Sequence, residues 1–247
     1  MSDNIYCYPE SEVLINKLNI TDRDELFEVE KQLTFVRLQE LQQNPIEGKF
    51  DFEHLKSIHR YIFQDLYDWA GRERTVEIGK GNLFCTTTYI QEYARVVFSK
   101  YFSQCYSVKD NFEEFVKVFA ENYGDLNALH PFREGNGRTQ REFARLICRE
   151  CGYDFDLSCT THKEMLEASK LSFNQGDCSL FIEIFSKALT EYKTDTDYNA
   201  DRISILTADD LDIGPVEGYE YYEYYDSSEN DSYNEIYKVK IEKMSLQ

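Results

Sequence analysis

Apolar residues recur at three- and four-residue spacing along most of the chain, which predicts a largely helical protein. Between Asp22 and Gln43, the positions Leu26, Val29, Leu33, Val36, Leu38 and Leu41 are apolar and charged residues fill many of the gaps. This is the pattern of an amphipathic helix, with Thr21 as its expected N-cap. Asn44-Pro45 and Gly48 break it. A second helix is expected over residues 52–69, with Leu55, Ile58, Ile62, Phe63 and Leu66 on its buried side. Between Gly71 and Tyr89 the period changes: RTVEIGKGNLFCTT alternates around Gly79 and Gly81 and predicts a short β-hairpin or extended flap. Helical spacing returns over residues 90–102. It strengthens through Phe112, Phe115, Val116, Phe119, Tyr123 and Leu126 in a helix that runs directly into His130. Further helices are expected up to Gly152, over 161–173 and over 179–192, and there is no internal repeat.

Beyond Tyr192 the pattern stops. EGYEYYEYYDSSENDSYNE is acidic and tyrosine-rich without an aliphatic residue, and residues 193–247 read as a mobile, solvated tail. The net charge of the 247-residue chain is −19, and fifteen acids against five bases from Glu191 to Gln247 supply about half of it. So acidic a balance argues against nucleic acid as a partner, since that binding neutralises phosphates with Lys and Arg. No run approaches the roughly 18 apolar residues of a membrane helix, and the N-terminus MSDNIYCYPE is polar, so no membrane partner and a cytoplasmic location are expected. Secretion as an effector stays open. The seven cysteines form no spaced framework, which fits a reduced compartment, and the close pair Cys148 and Cys151 reads as structural in its helical surroundings.

Candidate chemistry is concentrated in residues 130–141, HPFREGNGRTQR. Gly135-Asn136-Gly137 stands between a loop and a helix, where glycines and unpaired helix amides make an anion nest. Arg138 and Arg141 are three apart, share a helix face, and suit a polyphosphate. Glu134, beside the nest, would be repelled by phosphate unless a cation lay between them, and magnesium is the natural bridge. Asn136 offers an amide to an oxygen gaining charge, and His130 can take a proton from an incoming hydroxyl near neutral pH. Pro131 and Phe132 fix the loop, while Arg133 has no assigned role and is expected to face solvent. The set reads as phosphorus-group transfer from a nucleoside triphosphate to a hydroxyl.

These twelve residues match HPFx[DE]GNGRxxR, the Fic motif, at every defined position, and FQDLYDWAGRERTVEI and FNQGDCSLFIEIF extend the likeness over roughly residues 26–189. The chain thus resembles the Fic/Doc superfamily. The resemblance implies an all-α Fic domain over residues 1–192 with a short β-hairpin flap over the active site, the tail 193–247 lying outside it. It implies a protein adenylyltransferase that moves AMP from ATP, with Mg2+, to a Ser, Thr or Tyr hydroxyl of a target protein. His130 would be the base and Glu134 the Mg2+ ligand. Asn136 and the backbone of Gly135 and Gly137 would hold the α- and β-phosphates, and Arg138 and Arg141 the β- and γ-phosphates. The target would add as a strand along the flap, residues 76–84, with Lys80 and Gly81 at its nucleotide-facing turn. Gly137 stands where the Doc kinases carry lysine, which favours AMP transfer. The inhibitory pattern [ST]xxxE[GN] is missing: Leu26 follows the Thr21/Glu25 pair and Met165 follows Thr160/Glu164. That implies a separate antitoxin-like inhibitor anchored on Arg141. Two other readings stand beside this one: a Fic-fold transferase of UMP, GMP or phosphocholine, and an interaction protein acting through its tail.

Overall fold

The computed structural model describes residues 5–80 and 82–192. In chain order the elements are helices α1 (Arg23–Gln43) and α2 (Phe52–Phe63), strands β1 (Gly79–Lys80) and β2 (Asn82–Leu83), helices α3 (Ile90–Ser107), α4 (Phe112–Leu129) and α5 (Asn136–Glu150), strand β3 (Tyr153–Phe155), helices α6 (His162–Gln175) and α7 (Ser179–Ala188), and strand β4 (Leu189–Glu191). The all-helical body with a two-stranded flap is as expected, and β1 and β2 pair antiparallel. The tail reading falls on residues 193–247, outside the described residues.

Several boundaries differ from the sequence expectation, and α3 runs five residues further than expected, to Ser107. Asp22, not Thr21, caps α1, because Asp22 holds the extended conformation from which its carboxylate accepts the Glu25 N–H. Helix α2 stops at Phe63, six residues early. There the N–H groups of Leu66 and Tyr67 both turn back to the Phe63 carbonyl, and the Tyr67 and Trp69 rings stack 4.3 Å apart. Helix α7 ends at Ala188, and β4 then pairs antiparallel with β3, Phe155 opposite Leu189. Gly152, at φ 89°, permits the reversal from α5 into β3, a backbone angle that costs any other residue about 1–2 kcal/mol.

Helices α4 and α5 form the centre. Phe115, Phe119, Leu126, Leu129, Phe143 and Ile147 are completely buried, each aromatic or aliphatic side chain contributing roughly 1.5–3 kcal/mol by leaving water. The Phe119 ring meets Tyr101, Phe155 and Phe185 and so ties α3, β3 and α7 to one point. A smaller cluster, Tyr6, Val76, Ile78 and Phe84, lies at the flap, with Trp69 and Phe173 against it. The N-terminal segment supports it: Cys7 bridges to Leu14, and the Tyr6 hydroxyl accepts the Thr75 N–H at 3.2 Å. All seven cysteines are thiols; burial pushes Cys148 well up and Cys151 to about 12, consistent with structural roles. Among the described residues, no helix is long and apolar enough to cross a membrane.

Candidate active site

His130 is the C-cap of α4. Proline at the next position disfavours continued helix, and His130 takes the left-handed conformation, φ 42° and ψ 60°, unusual for a residue with a Cβ. Its Nδ1 lies 3.1 Å from the Asn127 carbonyl, which can only accept. The neutral ring therefore carries its proton on Nδ1 and its basic lone pair on Nε2. The imidazole stacks on Phe84 of the flap, with centroids 3.7 Å apart and planes 6° from parallel.

The next turn builds the nest. The Asn136 side chain clamps the Phe132 backbone from both ends, accepting its N–H at 2.9 Å and donating to its carbonyl at 2.7 Å. Gly135 is at φ 79°, and a Cβ there would lie 2.1 Å from Cζ of Phe63. Helix α5 then starts without a side-chain cap, so the first amides of the helix meet the cleft with no side-chain acceptor. Glu134 accepts the Gly135 N–H at 2.7 Å on Oε1.

Beneath the nest lies His59, which the sequence reading passed over. It is sandwiched between Phe63 and Phe132, with centroids 4.7 and 3.8 Å away. Its Nδ1 accepts the Gly71 N–H at 2.8 Å, so Nε2 bears the proton and donates to the Glu134 carbonyl at 2.9 Å. Burial, aided by the nearby Arg138 charge, pushes its pKa down to about 3. A group that stays neutral when folded and protonates near pH 6.5 when unfolded gives full stability above 6.5, lost progressively as pH falls towards 3. About 2 kcal/mol should vanish between pH 7 and pH 5 through His59 alone. Urea unfolding at the two pH values, compared with a His59→Gln variant, should show that slope in the parent and a flatter one in the variant.

The motif arginines do not share one environment. Arg138 is buried against α1: its guanidinium donates to Glu30 at 2.5 Å and Thr34 at 3.1 Å, approaches Glu134 at 3.5 Å, and lies over the Phe63 ring. Burial opposes its charge, but Glu30 and Glu134 outweigh that, so its pKa stands above the ordinary value. Arg141 lines the cleft, with Nη1 close enough that a Cβ at Gly137 would sit 3.2 Å away. Arg133 is buried rather than solvated, because the N-terminal segment folds over it and brings Cys7 Sγ to 3.8 Å. Of the flap-turn residues, Lys80 ends β1 and Gly81 lies outside the described residues.

His130, Glu134, Gly135, Asn136, Gly137, Arg138 and Arg141 line one open cleft. Helix α6 adds His162, Ser169, Lys170, Phe173 and Asn174 to the lining, none of them assigned a site role from the sequence. Among the described residues no cluster of three or more His, Cys, Asp or Glu could enclose a metal ion by protein ligands alone. A single carboxylate at the cleft suits a hard cation that takes its other ligands from phosphates and water, so Glu134 fits Mg2+.

The fold is thus a helical body carrying a flap, with an uncapped helix start and a histidine at one cleft. The model of the Fic/DOC family matches residues 49–148. The probable protein adenylyltransferase y4lH of Sinorhizobium fredii is 38% identical over 180 residues, covering 72% of this chain and 92% of that one. Protein adenylyltransferase VbhT of Bartonella schoenbuchensis is 39% identical over 192 residues, 77% of this chain but only 40% of that protein. The N-terminal Fic domain of a Bartonella quintana Bep effector, solved with bound ADP, superposes with a TM-score of 0.73 at 26% identity, covering 78% of this chain and 98% of that chain. The chain belongs to the Fic/DOC family.

Proposed function

We propose that the chain is a protein adenylyltransferase that transfers AMP from ATP to a Ser, Thr or Tyr hydroxyl of a target protein. The observation that carries this is the juxtaposition, in one cleft, of a histidine whose Nδ1 is committed to Asn127 and a helix start without a side-chain cap. Nε2 of His130 takes the hydroxyl proton, the oxygen attacks the α-phosphorus, and the bond to the bridging oxygen breaks to release pyrophosphate. The amides at the start of α5 and Arg141 hold the phosphates, and Asn136, one amide proton spent on Phe132, shapes the nest and offers the other. Arg138 adds positive charge from its anchored position. Mg2+ held by Glu134 would neutralise phosphate charge. The target backbone adds along the flap, with Lys80 and Gly81 at its turn.

The Fic unit spans residues 1–192 in this reading, and inhibition comes from a separate antitoxin-like protein on Arg141. The Thr160/Glu164 pair, which has part of the inhibitory spacing, is engaged elsewhere: Glu164 accepts from Thr161 N and closes a capping box at the start of α6. Incubation with ATP, Mg2+ and cell lysate tests the reaction type. Label from the α-phosphate should appear on protein, whereas label from the γ-phosphate alone would mean kinase chemistry.

A further inference from the structure

Arg74 lies outside the twelve-residue motif, 56 positions from the base, yet its side chain is completely buried beside it. Nε donates to the His130 carbonyl at 2.9 Å. Nη1 donates to the Val76 carbonyl at 2.9 Å, and Nη2 to the Cys85 carbonyl, so a single guanidinium holds the two roots of the flap. Its own backbone N–H reaches the Pro131 carbonyl at 2.9 Å. The charge is matched by Glu77 at 3.3 Å, whose carboxylate is in turn held by the Thr87 N–H and hydroxyl.

The left-handed backbone at His130 costs about 1–2 kcal/mol and persists only where neighbours over-determine it. Arg74 supplies two of those constraints, on the carbonyls of His130 and Pro131. The same group sets where the flap leaves the body, and Phe84 at the flap's end stacks on the imidazole. We propose that Arg74 is a positioning residue that locks the flap and the His130 base into one body, so that a hydroxyl delivered on the flap arrives in register with Nε2. This rests on the AMP-transfer reading for its kinetic consequence and not for its structural one.

The test uses Arg74→Lys, which keeps a cation for Glu77 but, as a point charge, cannot span three carbonyls. Arg74→Met with Glu77→Gln removes the pair without leaving a buried lone charge. Hydrogen exchange is read first and needs no activity. Both variants should speed exchange in 76–85 and in 130–135 together, while the centre of α5 stays protected. Faster exchange in only one of the two segments overturns the proposal. In steady-state transfer, Arg74→Lys should lower kcat 10- to 100-fold and raise KM for the target protein, with the affinity for a non-hydrolysable ATP analogue within about twofold, although the melting temperature falls because buried carbonyls lose a donor. Full turnover by Arg74→Lys, or nucleotide affinity falling in step with turnover, would also overturn it. If the parent chain itself transfers no AMP, the functional reading fails, and the exchange experiment still decides the coupling.

Discussion

Replacing His130 by alanine should reduce AMP transfer by roughly 10²- to 10⁴-fold, the usual contribution of a positioned proton acceptor. The expected size follows from how completely the ring is prepared. Its Nδ1–H is held by Asn127, its face by Phe84, and its backbone by Arg74, so little reorganisation remains when a hydroxyl arrives. The phosphate end of the cleft is built from a different element, α5, and its amides survive the change. Calorimetric affinity for a non-hydrolysable ATP analogue should therefore stay within a few-fold of the parent while labelled AMP on target protein disappears. A variant that retained a tenth or more of the transfer rate would remove His130 from its role as base.

Gly135→Ala should be the most disruptive small substitution in the cleft. Two costs add. The left-handed φ of 79° penalises any Cβ by about 1–2 kcal/mol. The new carbon would also fall 2.1 Å from Cζ of Phe63, a ring with no exposed surface, stacked on His59 and beneath the Arg138 guanidinium. Overpacking of that kind costs a further 1–3 kcal/mol. A loss of about 3 kcal/mol corresponds to roughly 6–12 °C in melting temperature for a body of this size. Because the clash displaces the turn that starts α5, affinity for the ATP analogue should fall as well. Calorimetric melting together with nucleotide titration checks both, and an unshifted melting temperature would show that the Phe63 ring can yield.

The sequence displays what is local and hides what is assembled. Helices α3 to α6 are legible because three or more turns repeat the same apolar spacing, and the cluster 130–141 is legible because its chemistry is consecutive. Strands β3 and β4 are not, since three residues are too few to show a period of two and the partners lie far apart in the chain. Leu66 misled the boundary of α2 because it keeps the helical spacing and is completely buried while sitting in a turn. Nothing local in the sequence marks His59 or Arg74; only folding brings them 75 and 56 positions along the chain to the site. Asn136 and Arg133 were legible as residues but not in their surroundings, which depend on the Phe132 backbone and on the N-terminal segment.

Glu30 reaches Arg138 across 108 positions, from a helix lying wholly outside residues 49–148. The stretch by which the family is recognised and the stretch that sets its electrostatics therefore have different edges. An arginine walled in by Phe63 and shielded from water has its charge balanced by whatever α1 presents, so the net charge beside the cleft can be tuned from α1 while every letter of the motif stays the same.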